Sequence, residues 1–167
     1  MLKLFVPIVG MALAFVAPAA AAQAALGPDA ALCQGESGRP AVLVTISGFK
    51  VAAGKLRVQL YPANSTFLAK GKWLRRIDLP VMGNGPMRVC VAVPKPGEYA
   101  IAVRHDTKAN GSDWNDGGGF SRNPKLSILN YKPDYRQVAF PVGSGVRPID
   151  VMLNYRKGLS IGPARQG

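Results

Sequence analysis

Alternation of apolar and polar side chains over short segments is the feature that most limits what this chain can fold into. In residues 55–61, Leu56, Val58 and Leu60 fall on one side of the backbone, and the polar side chains between them fall on the other. A period of two matches a β-strand with one buried face and one face in water, whereas a helix repeats every 3.6 residues. The pattern therefore predicts a strand here.

Similar segments recur along the chain and are separated by turn residues. Six further segments are predicted as strands: 41–47, 76–79, 86–93, 98–105, 135–142 and 147–155. Prolines and glycines mark turns at 94–97 and 143–145, and residues 48–54 are predicted to form a hairpin connection. About seven short strands with little helical periodicity predict an all-β fold, an antiparallel β-sandwich of immunoglobulin-like or transthyretin-like type.

The first residues have the composition of a secretory signal peptide. Lys3 precedes an apolar run over residues 4–16, and the alanines at 20–22 then form an A-x-A cleavage site. A membrane-spanning helix needs about 20 apolar residues, which is more than this run supplies. We therefore expect residues 1–22 to be a cleaved signal peptide, and the mature protein to work in the periplasm or as a secreted protein without a transmembrane anchor.

The mature chain divides by composition into three parts. Residues 23–39 are predicted to be a flexible leader, residues 40–155 the β-sandwich domain, and residues 156–167 a basic, flexible tail. Cys33 and Cys90 are the two cysteines, and in an oxidising compartment we expect them to form a disulfide that ties the leader to the domain. A redox role is not expected, because the sequence has no C-x-x-C motif.

The charge balance favours an anionic partner. The formal net charge is +12 at pH 7, and loss of Lys3 with the signal peptide leaves +11. Because an exported protein rarely meets nucleic acid, the expected polyanions are envelope lipids and acidic polysaccharides. A protein partner, or a purely solubilising role for the charge, is the alternative. The densest cluster of cations is predicted as a basic patch of Lys70, Lys72, Arg75 and Arg76.

Polar and aromatic side chains concentrate between residues 105 and 120. The candidate binding residues there are His105, Asp106, Asn110, Asp113, Trp114, Asp116 and Phe120. Calcium prefers six to eight oxygen ligands, but Lys108 stands where the third EF-hand position would supply an oxygen. We therefore predict no metal and no cofactor. Instead, the Asp106 carboxylate should accept backbone N–H groups while Asn110–Gly111 makes a turn.

The sequence offers few residues that could act in catalysis. His105 is the single histidine, which excludes a zinc site built from several histidines. No G-x-S-x-G motif supplies a nucleophile, and a position at a strand end favours a hydrogen-bonded structural role for His105. Trp114 and Phe120, beside polar groups, are typical of surfaces that bind sugars or peptides, unless these rings fold back onto the sandwich.

Several of these segments together resemble one family of exported bacterial proteins. Residues 96–106 read PGEYAIAVRHD, and Asn110–Gly111, Asp113 and residues 119–123 (GFSRN) follow them. The matching upstream segments are 54–61 and Phe67–Leu68. This layout is similar to the family catalogued as domain of unknown function 2141, and its P-G-x-Y strand also resembles those of transthyretin-like and carboxypeptidase-regulatory-like sandwiches. The resemblance implies the fold, but the family has no established reaction and so implies no catalytic residue.

Two functions fit these observations. The favoured hypothesis is an exported, non-enzymatic β-sandwich module that contacts an anionic component of the cell envelope or a protein partner. The alternative is a hydrolase or a calcium-dependent protein that uses the loop from His105 to Asp116. The two differ in what the loop must do, since only the alternative requires reactive or metal-binding groups there.

Overall fold

The fold is almost entirely β. The structure is a computed structural model, and it describes residues 23–35, 37–111 and 113–164. The strands are β1 (Ala41–Ser47), β2 (Lys55–Pro62), β3 (Arg75–Pro80), β4 (Met87–Ala92), β5 (Gly97–Asp106), β6 (Gly117–Phe120), β7 (Phe140–Val142), β8 (Val146–Met152), β9 (Asn154–Lys157) and β10 (Ser160–Pro163). The helical elements are a 3-10 helix, Ala30–Cys33, and the single turn α1, Tyr135–Val138. Neither helix is long or apolar enough to cross a membrane. The predicted signal peptide, residues 1–22, lies outside the described residues.

The strands form two sheets. The small sheet has the order β4-β1-β8, and the large sheet has the order β10-β9-β6-β5-β2-β3, with β7 pairing against the start of β5. β1 runs antiparallel to β4 but parallel to β8, and the pairs of the large sheet are antiparallel. The predicted all-β sandwich is confirmed, although the described ranges hold ten strands rather than about seven, and one pair is parallel.

The main core lies between the sheets and follows the alternation seen in the sequence. In β2 the residues at 56, 58 and 60 face the core, and in β5 those at 99, 101 and 103 do. β1 is the central strand of the small sheet, and Ala41, Val42, Leu43 and Val44 are all buried. A strand covered on both faces has a continuous apolar sequence, which explains why residues 41–44 lack alternation.

Two connections predicted as simple turns between neighbouring strands instead pass from one sheet to the other. Residues 48–54 lead from β1 in the small sheet to β2 in the large sheet, and residues 143–145 lead from β7 back to β8. Short glycine-containing loops serve both kinds of connection, so the local sequence does not separate them. Gly48 has a φ of +82°, and a Cβ there would lie 2.7 Å from the Met152 sulfur, so this connection requires glycine.

The predicted strand at 135–142 is corrected, because its first half is helical. The Asp134 carboxylate accepts from Arg136 N at 2.9 Å, and the Gln137 side chain accepts from Asp134 N at 3.1 Å. This reciprocal capping stabilises a helical start, and it leaves only Phe140–Val142 as strand. A further strand, β6, is not among the segments predicted as strands from the sequence.

The segment around Leu26 and Cys33 differs from the flexible leader expected over residues 23–39. Leu26 forms a parallel bridge with Val89 of β4, and the predicted disulfide between Cys33 and Cys90 is confirmed, with a Cα–Cα distance of 5.9 Å. These contacts place the leader along the outer edge of β4. An unpaired strand edge is open to association with other chains, so the leader protects this edge of the small sheet.

Asp29 adds a second attachment between the leader and the sandwich. Its carboxylate accepts two hydrogen bonds from the Arg75 guanidinium, at 2.6 and 2.9 Å, and one from Ala92 N at 2.9 Å. Burial acts to raise the pKa of Asp29, but these donors outweigh burial and lower the pKa below its usual value. Asp29 thus attaches the leader to partners that lie 46 and 63 residues further along the chain.

The basic segment after residue 155 also differs from the flexible tail that was expected. β9 and β10 form an antiparallel hairpin, and β9 pairs with β6 at Gly118 and Asn154. The anchor is Tyr155, whose ring is buried in the main core. Ala164, which follows β10, packs against the same core, so apolar contacts attach both arms of the hairpin to the sandwich.

Candidate functional site

A groove lies on the outer face of the large sheet, opposite the main core. Two segments, residues 62–74 and 121–139, fold over this face and form a second apolar cluster on it. Between them, the loop 106–116 and the β9–β10 hairpin, they leave a groove of about 600 Å³. Loops supported by a rigid sheet and surrounding a concave surface are the usual setting of ligand sites, so the groove is the candidate functional site.

The floor of the groove is made of small residues on the outward positions of β5 and β6. Ala102 and Gly118 line it. Close packing explains two of the three consecutive glycines in β6. A Cβ at Gly117 would lie 2.5 Å from the Tyr155 ring, and a Cβ at Gly119 would lie 2.6 Å from the Met152 carbonyl oxygen. At Gly118 the nearest atom would be 4.0 Å away. Packing therefore does not require Gly118 to be glycine, and its effect is to keep the groove floor open.

The walls of the groove are apolar and rich in aromatic rings. The aromatic lining residues are Tyr61, Trp114, Phe120 and Tyr131, and the aliphatic ones are Leu68, Leu126, Ile128 and Ile161. Phe67 supports this wall from behind, with its ring edge-on to Tyr61 and to Phe120 at centroid distances of 5.3 and 6.0 Å. Such walls favour a ligand that has an apolar part.

Cations lie at the mouth and on the floor of the groove. The Arg156 guanidinium stacks over the Trp114 ring at 4.3 Å from its centroid, and the Lys132 ammonium lies 5.4 Å from the Tyr131 centroid. Stacking on an aromatic face holds a cation in place without neutralising its charge. No carboxylate lies within 4 Å of either cation in the described part of the chain. The mouth therefore carries uncompensated positive charge.

Arg104 projects onto the groove floor from β5. Its guanidinium donates to the Gly111 carbonyl and lies 3.6 Å from an Asp106 carboxylate oxygen and 3.7 Å from one of Asp116. Its Nε is buried and has no hydrogen-bond partner among the described residues. This atom is enclosed by the protein and lies 3.7 Å from an Asp116 carboxylate oxygen, so the charge of Arg104 is balanced within the loop.

The loop from Asp106 to Asp116 is held by its own backbone. The Asp106 carboxylate accepts from Asn110 N at 3.2 Å and from Gly111 N at 2.9 Å, which confirms the predicted role of this side chain. The Asp116 carboxylate accepts from Thr107 N and Asp113 N, at 3.2 and 3.0 Å. These carboxylates act as acceptors that fix the loop and so position Trp114 at the groove mouth.

Charged groups in the loop reinforce this arrangement. Burial acts to raise the pKa of Asp106, but the N–H groups of Gly111 and Asn110 and the Arg104 guanidinium lower it overall. The Lys108 ammonium lies 2.9 Å from an Asp113 oxygen, and this hydrogen bond lowers the pKa of Asp113. Within the described ranges, no cluster of three or more His, Cys, Asp or Glu side chains is placed to hold a metal ion.

His105 lies on the core side of β5 and does not line the groove. Its Nε2 is 2.8 Å from the Ala53 carbonyl oxygen, and its Nδ1 is 2.7 Å from the Tyr155 hydroxyl. Because a carbonyl only accepts, Nε2 carries the proton and Nδ1 accepts from the hydroxyl. The same hydroxyl accepts from Lys50 N at 3.1 Å. Both ring nitrogens are therefore engaged in a buried network that ties β5 to β9 and to the loop 48–54.

The predicted basic patch is divided by ion pairs. Arg75 is held by Asp29, and Arg76 lies 2.7 Å from an Asp78 oxygen. Lys70 and Lys72 are exposed, and no carboxylate partner for them occurs in the ranges that the structure describes. None of the four residues lines the groove.

The structure brings only some of the predicted binding residues together. Asp113, Trp114, Asp116 and Phe120 line the groove, whereas His105, Asp106 and Asn110 lie outside its lining. Residues that the sequence analysis missed include Tyr61, Arg104, Gly118, Tyr131 and Arg156. The alternation of inward and outward side chains along β5 indicates Arg104, because Arg104 lies one position before the inward-facing His105 and therefore on the outer face.

Replacing Asp106 with alanine should lower the free energy of unfolding by about 1–3 kcal/mol, because two backbone N–H groups lose a charged acceptor. Chemical denaturation of the variant and wild type at pH 7 measures the loss. The matched control is Asp150→Ala, since the Asp150 side chain is exposed and makes no hydrogen bond within the described residues. Because the pKa of Asp106 is lowered in the folded state, the loss should shrink as the pH falls below about 4.

The same variant tests whether the loop binds calcium. Thermal melts of wild type and Asp106→Ala, each with millimolar calcium and with chelator, should show no calcium-dependent shift. A rise in the wild-type melting temperature that the variant lacks would contradict this expectation and restore the calcium hypothesis.

Similarity to known proteins identifies the family of this chain. No match was found among curated proteins, and none among solved structures. A model of one bacterial family, described as an uncharacterized protein conserved in bacteria (DUF2141), matches residues 44–150, which run from β1 into β8. This match covers more than half of the chain and confirms the resemblance seen in its motifs. The chain therefore belongs to the DUF2141 family.

Proposed function

We propose that this protein is an exported, non-enzymatic binding module of the cell envelope, and that it holds an anionic ligand with an apolar part in the groove of the large sheet. The observation that carries the proposal is the groove itself, whose floor is left open by Gly118 and whose walls are aromatic and aliphatic. Two features support a location in the periplasm or in the extracellular medium: the signal-like sequence of residues 1–22 and the disulfide.

The charges around the groove support an anionic ligand. Arg104, Lys132 and Arg156 line it, and only Arg104 lies within 4 Å of a carboxylate in the part of the chain that the structure describes. The two acids of the lining, Asp113 and Asp116, are committed to Lys108 and to backbone N–H groups. A ligand carboxylate or phosphate would thus meet donors at the mouth without facing a free acid.

The alternative function, a hydrolase or calcium-dependent protein using the His105–Asp116 loop, receives less support from the geometry. His105 is buried and both of its ring nitrogens have partners, so its proton is not presented to a substrate. The Asp106 and Asp116 carboxylates are occupied by the backbone of their own loop. The calcium melts described above are the direct test of this alternative.

A variant of the groove floor tests the proposed function. Gly118→Val places a side chain on the floor, where the nearest atom to the added Cβ is 4.0 Å away. Calorimetric titration with monomeric decanoate, an anion with a short apolar chain, should show binding to the wild type. The variant should bind at least about tenfold more weakly, since the added side chain fills the site.

Two controls give this titration its meaning. Gly143→Val adds the same side chain where a Cβ meets nothing within 4 Å, and it should bind decanoate like the wild type. Decyltrimethylammonium has the same chain with the opposite charge, and it should bind at least about tenfold more weakly than decanoate. Equal decanoate binding by Gly118→Val and wild type, or a preference for the cation, would show that the groove is not an anion-selective site.

A further inference from the structure

Exposed apolar side chains lie in the segments that form the mouth of the groove, and two of them, Trp114 and Tyr131, line it. Leu129 is 99% exposed, Leu159 90%, Trp114 75% and Tyr131 54%. Leu129 lies in the turn that Ser127 and Asn130 close by two backbone hydrogen bonds, and Leu159 lies in the turn between β9 and β10. We call these four side chains the apolar rim. A leucine exposed alone needs no explanation, but two leucines at loop tips on the same segments as two exposed aromatic rings offer a contact surface to an apolar partner.

Cations accompany each part of the apolar rim. Lys132 follows Tyr131, Arg156 stacks on Trp114, and Lys157 lies two positions before Leu159. Arg156 and Lys157 are exposed. These three have no carboxylate within 4 Å among residues 23–35, 37–111 and 113–164. The rim therefore combines aliphatic tips, aromatic rings and uncompensated positive charge.

We infer that the apolar rim docks on a bilayer surface rich in anionic phospholipid. Leu129 and Leu159 enter the boundary of the acyl chains, while Trp114 and Tyr131 lie at the level of the headgroups, where amphipathic rings are favoured. Lys132 and Arg156 meet the lipid phosphates, and the negative potential of the surface adds to the attraction. This inference rests on the proposed function, since a lipid at the mouth supplies an anionic group and an apolar chain to the groove.

The side chains at the rim favour lipid over the other anionic component of an envelope, an acidic polysaccharide. Sugars stack on aromatic rings, and they give Leu129 and Leu159 no apolar partner. A bilayer satisfies the leucines, the rings and the cations together. Insertion of side chains from two loop tips also requires no membrane-spanning helix.

Cosedimentation with vesicles tests the docking surface. Wild-type protein should bind vesicles of phosphatidylcholine mixed with phosphatidylglycerol at least about tenfold more tightly than vesicles of phosphatidylcholine alone, and salt should weaken the binding. The double variant Leu129→Ser and Leu159→Ser should lose at least about tenfold in affinity for the mixed vesicles. The same variant should bind decanoate within about twofold of wild type, because neither leucine lines the groove.

A matched variant controls for the loss of exposed apolar area. Leu74 and Met82 are 48% and 85% exposed at the two ends of β3, and neither lines the groove. The double variant Leu74→Ser and Met82→Ser should bind the mixed vesicles like the wild type. An equal loss in both double variants would overturn the assignment of the docking surface to the rim.

The remaining outcomes separate this inference from the proposed function. Failure to bind the mixed vesicles, or binding that ignores the leucine substitutions, would overturn docking, while decanoate binding that Gly118→Val removes would still uphold the groove. Failure of the wild type to bind decanoate, together with vesicle binding that depends on the two leucines, would overturn the proposed function and uphold docking. Tighter binding of soluble polygalacturonate than of the mixed vesicles, unaffected by the leucine substitutions, would replace the bilayer with an acidic polysaccharide as the partner.

Discussion

Removal of the Cys33–Cys90 disulfide is expected to lower the free energy of unfolding by about 4 kcal/mol. The two cysteines are 57 residues apart, and a crosslink that closes a loop of this length removes much of the conformational freedom of the unfolded chain. The variant to measure is Cys33→Ala with Cys90→Ala, compared with wild type by chemical denaturation under oxidising conditions. Typical small domains have 5–15 kcal/mol in total, so the variant should be marginally stable.

Two further measurements determine whether the loss comes from the crosslink. Thiol titration of the unfolded, unreduced wild type should find no free sulfhydryl, and two free thiols would contradict the prediction. Hydrogen exchange in the variant should rise at the Leu26 and Cys90 positions, because the backbone bonds between the leader and β4 lose their covalent anchor. Unchanged exchange there would show that the Asp29–Arg75 pair holds the leader by itself.

The stability of the wild-type protein is expected to fall by about 2 kcal/mol between pH 10 and pH 12 through Tyr155 alone. Burial raises the pKa of this hydroxyl to about 12, partly offset by the hydrogen bond from Lys50 N. The unfolded chain releases the proton near pH 10 and the folded chain does not. The unfolded state therefore binds fewer protons in this window, so stability present below pH 10 is lost as the pH rises.

Tyr155→Phe isolates this contribution from the other groups that titrate at high pH. At pH 7 the variant should be about 1–3 kcal/mol less stable, because His105 Nδ1 and Lys50 N lose their partner. The difference between the two proteins should then shrink from pH 10 to pH 12, since the other tyrosines and the lysines are common to both. A constant difference across this range would show that the Tyr155 hydroxyl is open to water.

Local sequence was sufficient for most strands but not for their arrangement into sheets. The alternation of residues 55–61 and 98–105 reflects burial on one face, which depends on neighbouring positions only, and both strands were predicted correctly. Whether β1 joins β2 or crosses to another sheet depends on partners far along the chain. The same reason explains the leader, whose Asp29 finds Arg75 across 46 residues.

The groove was less predictable than the fold. Trp114 and Phe120 were candidates because exposed rings near polar groups are common at binding sites, and both line it. Tyr61, Tyr131 and Arg156 come from three separate segments that only the folded sheet brings together. Gly118 resembles its two neighbours in the sequence, and only the space around each glycine shows that a side chain could be added at Gly118 without a close contact to its Cβ.

The parallel pairing of β1 with β8 also decides when this chain can fold. Ser47 and Met152 lie 105 residues apart, yet they belong to the same pair of strands at the centre of the small sheet. Contacts over such separations form slowly, because the entropy of closing the chain is lost before any contact compensates for it. Until β8 arrives, one edge of β1 is unpaired, and its sequence AVLVTIS is apolar, β-branched and uncharged. We therefore expect the pairing of β8 with β1 to be the last step of folding. Before that step, the unpaired edge of β1 leaves the chain most exposed to aggregation.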